Sequence, residues 1–125
     1  MKIFVDDDHK NFFGDLQHRS GNTDSYHRAL FYTIGISQET RDHYLRIYNL
    51  KDREIRPECL EEGWQTGTSR RICLLAFNLF NGYIDKQNPN LSTPENLFAC
   101  EFAPFFARAI AMRYPEYRWE TGRKY

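Results

Sequence analysis

Three histidines and one aspartate are the first residues in this chain that could do chemistry together. Asp24 and His27 are three apart, a spacing that places both side chains on one face of a helix. Folding the next helix back about a turn near Ile36 brings His43 within a turn of His27. Folding the preceding helix about Gly21 brings His18 toward Asp24. Imidazole nitrogens with one carboxylate oxygen suit zinc in tetrahedral geometry. His18, Asp24, His27 and His43 are therefore the candidate metal ligands, with Cys59 as the outside candidate. Four filled positions would make such a zinc structural, since no place is left for water. The plainer alternative makes Asp24 a helix cap and the histidines surface or hydrogen-bonded groups, because no compact H-x-x-x-H motif is present.

A second cluster is Gly63-Trp64-Gln65-Thr66-Gly67-Thr68-Ser69-Arg70-Arg71. Hydroxyl residues opening a helix, with two arginines following, can hold a phosphate or carboxylate on free N–H groups. The P-loop order is absent. The simpler reading makes Ser69 an N-cap and Trp64 a core plug, leaving Arg70 and Arg71 to pair with acidic groups on another protein. A third cluster lies near the C-terminus. There Arg108, Arg113, Tyr114, Tyr117, Arg118, Trp119 and Arg123 interleave cations with rings. Such a surface suits single-stranded bases or a protein interface. Arg70, Arg71, Arg113, Tyr117, Arg118 and Trp119 are the candidate partner-binding residues. Cys73 and Cys100 read as buried and inert thiols, and no triad or dinucleotide glycine motif appears, so the expectation is a protein that is not an enzyme.

The elements that must position these residues are mostly helices. Helices are expected over about Asp7–His18, Asp24–Gly35, Ser37–Tyr48 and Ser69–Asn81, with a brief one from Pro57 toward Gly63. Tyr26, Leu30, Phe31 and Ile34 form the expected buried stripe of the second. Gly35 is its expected left-handed stop, and so short a link makes the third helix its antiparallel neighbour. Ser92 and Glu95 match a capping box for a helix that Ala103-Pro104 interrupts, and a last helix spans about Phe105–Arg113. Ile3, Phe4 and Val5 read as a short N-terminal strand or a staple. The fold expected is mainly α: a compact bundle of about six helices in one domain over residues 1–125, with 116–125 a partly ordered tail.

Composition narrows the function classes. Seventeen Lys+Arg balance seventeen Asp+Glu in 125 residues, which argues against wholesale coating of nucleic acid or an anionic membrane. Mean hydropathy is −0.72, and no run approaches the ~20 apolar residues of a membrane span. Three widely spaced cysteines and an acidic start point to a reduced, cytoplasmic protein without a membrane. Ten Phe, eight Tyr and two Trp allow a substantial core from a short chain and leave rings over for an interface. Either a monomer or a homodimer fits.

Several stretches carry a resemblance. Asp24-Ser25-Tyr26-His27-Arg28-Ala29-Leu30-Phe31-Tyr32, Ile55-Arg56-Pro57-Glu58-Cys59-Leu60, Trp64-Gln65-Thr66-Gly67-Thr68-Ser69 and Ala76-Phe77-Asn78-Leu79-Phe80-Asn81-Gly82 resemble a family of small proteins of unknown function. That family occurs in Gram-positive bacteria and their phages. It brings no catalytic residues to carry over. The resemblance implies a small cytoplasmic protein of a mobile element that inhibits host defence by binding a protein. The anti-CRISPR form of that role is a block on a type II CRISPR effector nuclease. The alternative is a nucleic-acid-binding or regulatory module using the Arg and aromatic surface.

Overall fold

Three of the four longest helices open on a polar side chain that accepts one of their free N–H groups. In the computed structural model, which describes residues 2–117, Asp6 accepts the His9 N–H at 2.8 Å and starts α1 (Asp7–Ser20). Gly21 ends it in the left-handed conformation (φ 71°). Asp24 accepts the His27 N–H at 2.9 Å and starts α2 (Ser25–Ile34). Every residue from Ala29 to Ile34 is buried. A helix apolar on all sides must sit in the middle of a fold, and α2 packs against α1 and two later helices, α5 (Gly67–Asn81) and α7 (Ala103–Arg113). Tyr26 is the exception in the expected stripe, being 46% exposed at the first turn.

Gly35 follows α2 for a reason other than the one expected. Its backbone is right-handed (φ −74°), so no left-handed turn requires glycine there. A Cβ at this position would lie 2.8 Å from His9 Cδ2 and 2.9 Å from Phe12 Cδ1. Glycine is needed because α1 crosses the end of α2 in van der Waals contact.

The expected helix over 37–48 is broken. Ser37 caps α3 (Gln38–Asp42), His43 leaves helical geometry (φ −113°, ψ 21°), and α4 covers only Tyr44–Ile47. Tyr48–Asn49 (β1) and Glu54–Ile55 (β2) then form a minimal antiparallel hairpin, with Tyr48 opposite Ile55. Asn49 Oδ1 accepts the N–H groups of Lys51 and Asp52, each at 3.0 Å, and so closes the turn. This hairpin contains the strands of the described residues; Ile3, Phe4 and Val5 form bends instead. Phe4 acts as a plug, its ring meeting those of His9, Phe13 and Tyr32.

A 3-10 turn, Pro57–Glu61, drives Cys59 and Leu60 into the core. Thr66, not Ser69, caps α5; Ser69 occupies the third helical position and returns the bond to the Thr66 N–H at 2.7 Å. Gly82 (φ 80°) ends α5 as expected. The Ser92–Glu95 capping box does not form. Ser92 closes a 3-10 turn (Pro89–Ser92), and α6 (Pro94–Leu97) starts after Thr93 without a side-chain cap. Pro104 lies in the first turn of α7, so Ala103-Pro104 begins a helix rather than interrupting one. A final 3-10 turn covers Pro115–Tyr117. The fold is mainly α around one core, in which Phe31, Tyr32, Tyr48, Phe77 and Phe106 are the largest fully buried side chains.

Candidate functional site

The histidines do not converge. Asp24 and His27 meet as their spacing requires, with Nδ1 2.8 Å from the Asp24 carboxylate. Burial opposes ionisation of Asp24, but hydrogen bonds from the His27 N–H and ring outweigh it and hold the carboxyl below its usual range. His27 then turns inward. Its ring stands edge-on to Phe80 (centroids 5.1 Å apart), and its Nε2 is buried without a partner. His43 lies elsewhere, stacked flat on Trp64 at 4.2 Å, its Nδ1–H donated to the Glu39 carbonyl at 2.8 Å. His18 sits in the last turn of α1. Among the described residues no three His, Cys, Asp or Glu side chains come together to hold a metal ion. The expected convergence needed α3 to lie back along α2; instead the helix stops at Asp42 and α3 packs on α5.

Cys59 is also unsuited to an outside ligand. It is fully buried, and a hydrogen bond with the Cys73 thiol, together with burial, pushes its pKa upward. Gln65 Nε2 approaches both sulfurs, at 3.9 and 3.6 Å. The fourth histidine, His9, was not among the candidates, yet it is the one built deepest into the fold. Its Nδ1 accepts the Val5 N–H at 3.0 Å, so its proton resides on Nε2 and is donated to the Tyr32 carbonyl at 2.8 Å.

Arg70 and Arg71 each hold a backbone carbonyl within the fold. Arg70 donates from Nε and Nη2 to the Leu60 carbonyl, both at 3.2 Å. Arg71 Nε donates to the Asn96 carbonyl at 2.8 Å and ties α5 to the α6 region. At this helix start the N–H groups of Thr66 and Ser69 are engaged by the Thr66–Ser69 box. Trp64 is half-buried, its indole N–H donated to Glu62 at 2.7 Å. Glu62 is also bound by Arg46, and that bond holds its carboxyl below the usual range.

What the fold does assemble is an arginine against two tyrosine rings. Arg113, the last residue of α7, lies with its guanidinium carbon 3.6 Å from the Tyr26 ring centroid and 4.5 Å from that of Tyr114. Its Nε–H is donated to the Leu79 carbonyl at 2.9 Å. One residue thereby joins the end of α7, the start of α2 and the last turn of α5. Tyr26 and Tyr114 keep 46% and 40% of their surface, and Tyr117, one 3-10 turn later, keeps 83%. Arg113 and Tyr117 were expected on this surface; Arg118 and Trp119 lie outside the described residues. Tyr26 was assigned to the core instead, because helical spacing cannot distinguish a buried ring from one that a cation covers.

The chain matches a family model from residue 1 to residue 125, described as a family of unknown function. It belongs to the DUF6075 family. No curated protein and no solved structure matches it. Family membership thus supplies no chemistry, and the side chains must supply it. No described helix is long and apolar enough to cross a membrane. The described surface offers an exposed cluster of rings around a fixed cation, a combination enriched at the centres of protein interfaces.

Proposed function

We propose that this protein acts by occupying the surface of a protein partner rather than by transforming a substrate. The observation that carries the reading is the cluster in which Tyr26 and Tyr114, 46% and 40% exposed, lie against one held arginine, Arg113, with Tyr117, 83% exposed, one 3-10 turn later. Tyr and Arg are enriched among the residues that dominate interface energetics, and Tyr brings a large contact area at low entropic cost. The partner class we propose is a bacterial defence nuclease, and the specific form is an anti-CRISPR inhibitor of a type II effector. What supports that form is the sequence resemblance to small proteins of Gram-positive bacteria and their phages, together with this face.

Titrating the purified chain into a type II effector–guide complex tests it, with complex formation read by size-exclusion chromatography and inhibition by target cleavage. The expected result is stoichiometric binding and loss of cleavage, weakened about tenfold or more by Tyr117→Ala at unchanged thermal stability. No association and undiminished cleavage would refute the anti-CRISPR form. The nucleic-acid alternative predicts a steep fall of DNA affinity with salt.

A further inference from the structure

We infer that Cys59 and Cys73 form a redox latch: a low-molecular-weight disulfide converts the two thiols into an internal disulfide that locks the Pro57–Glu61 turn onto α5. The sulfurs come from different elements, Cys59 from that turn and Cys73 from α5. The fold nevertheless seats both on one side chain. Gln65 Nε2 lies 3.9 Å from the Cys59 sulfur and 3.6 Å from that of Cys73, and the two thiols are hydrogen-bonded to each other. Gln65 is itself held, its Nε2 donated to the Cys59 carbonyl at 3.1 Å and its Oε1 accepting the Ser69 hydroxyl at 2.6 Å. Arg70 ties the same turn to α5 through the Leu60 carbonyl. Held in this way, each thiol meets the other at a far higher effective concentration than it meets a sulfur from outside. Cys100 is engaged elsewhere. It is half-buried between α6 and α7, and its thiol is donated to the Leu97 carbonyl at 3.7 Å.

The surroundings favour a neutral product. The Cys73 hydrogen bond, burial and the carboxylates of Glu62 and Glu58 all oppose a negative charge on Cys59. A soft metal held by two thiolates would bury such charge, whereas a disulfide carries none. The same surroundings set the route. Neither sulfur is exposed, and a protonated thiol is a poor nucleophile. Exchange therefore passes through a local opening of the turn, a single 3-10 segment in which Glu58 and Glu61 are exposed.

In the opened segment one protein thiolate attacks a sulfur of the reagent. The reagent S–S bond breaks, one reagent thiolate leaves, and a mixed disulfide forms. The second protein thiolate attacks the protein sulfur of that mixed disulfide and expels the other reagent thiolate. The two electrons lost by the cysteines reduce the reagent, and the two cysteine protons end on its two thiols. Closing the loop between residues 59 and 73 removes freedom from the unfolded chain, so the oxidised form resists unfolding.

The test incubates the full chain with oxidised glutathione in urea below its unfolding midpoint, where local opening is frequent. Intact mass and peptide mapping without reduction read the product. The expected product has lost two hydrogens, joins Cys59 to Cys73, unfolds at higher urea than the reduced chain, and returns to the thiol form with dithiothreitol. Cys100→Ser should give the same link, and Cys73→Ser should abolish it. If Cys73→Ser does not fold, the Cys100→Ser chain decides alone, since Cys59 and Cys73 are then its only cysteines. Cys59 and Cys73 unlinked at equilibrium, glutathione retained on either, a link from either to Cys100, a dimer joined through these sulfurs, or an oxidised form that unfolds at lower urea would each overturn the inference.

Discussion

Acidification should loosen the junction of α1 and α2 through one residue, His9. The ring has no exposed surface, and both nitrogens are committed. Nδ1 must stay unprotonated to accept the Val5 N–H, while Nε2–H serves the Tyr32 carbonyl. Protonation would place a second donor against the Val5 N–H and strand a charge beside the rings of Phe4 and Tyr32. Burial is the main cause that holds the His9 pKa below its ordinary 6.5, with Arg41 adding to it; the Tyr32 carbonyl and Asp6 oppose. Because the folded-state pKa is depressed, the unfolded chain binds the proton first. Stability should therefore be full above pH 6.5 and fall as pH drops below it, at no more than about 1.4 kcal/mol per pH unit, until the folded-state pKa is reached. His9→Gln supplies the comparison. A glutamine amide can still donate to the Tyr32 carbonyl but does not titrate, and it leaves the Val5 N–H without its acceptor. That variant should be about 1–3 kcal/mol less stable at pH 7.5. It should also lose less stability than the parent between pH 7.5 and 5. Urea unfolding at a series of pH values, followed by circular dichroism, measures both quantities. Parallel pH profiles for the two proteins would refute the reasoning.

Two further outcomes follow from close packing elsewhere. Gly35→Ala should cost about 1–3 kcal/mol in chemical denaturation, because the new methyl meets His9 and Phe12 rings inside 3 Å in a close-packed region; a neutral result would show that α1 can shift freely. A thiol reagent added to the folded protein should modify Cys100, which is half-buried, well before Cys59 and Cys73, which are fully buried. Peptide mapping after short exposure checks this, and early labelling of Cys59 would contradict the structure.

Local signals were the legible part of this protein. Asp6, Asp24 and Ser37 cap helices, and Gly21 and Gly82 stop them, because a cap needs only the few residues around it. The same locality explains the misassignments. Ser69 and Thr66 both carry hydroxyls at plausible starts, and only the observed bond shows which residue caps. Ser92 and Glu95 had the spacing of a capping box, but the chain had already closed a 3-10 turn at Ser92.

The amino-acid sequence by itself determined a mainly helical chain, the starts and stops of most helices, and a surplus of aromatic rings. Only the tertiary structure decided which side chains meet. It separated His18, His27 and His43, turned Arg70 and Arg71 into internal fasteners, and chose Tyr26 rather than a core neighbour to cover Arg113. The physical reason is the range of the forces. Capping bonds span three or four residues and are written in the local order. Contacts such as Arg113 with Tyr26 depend on how helices cross, which the whole core sets at once.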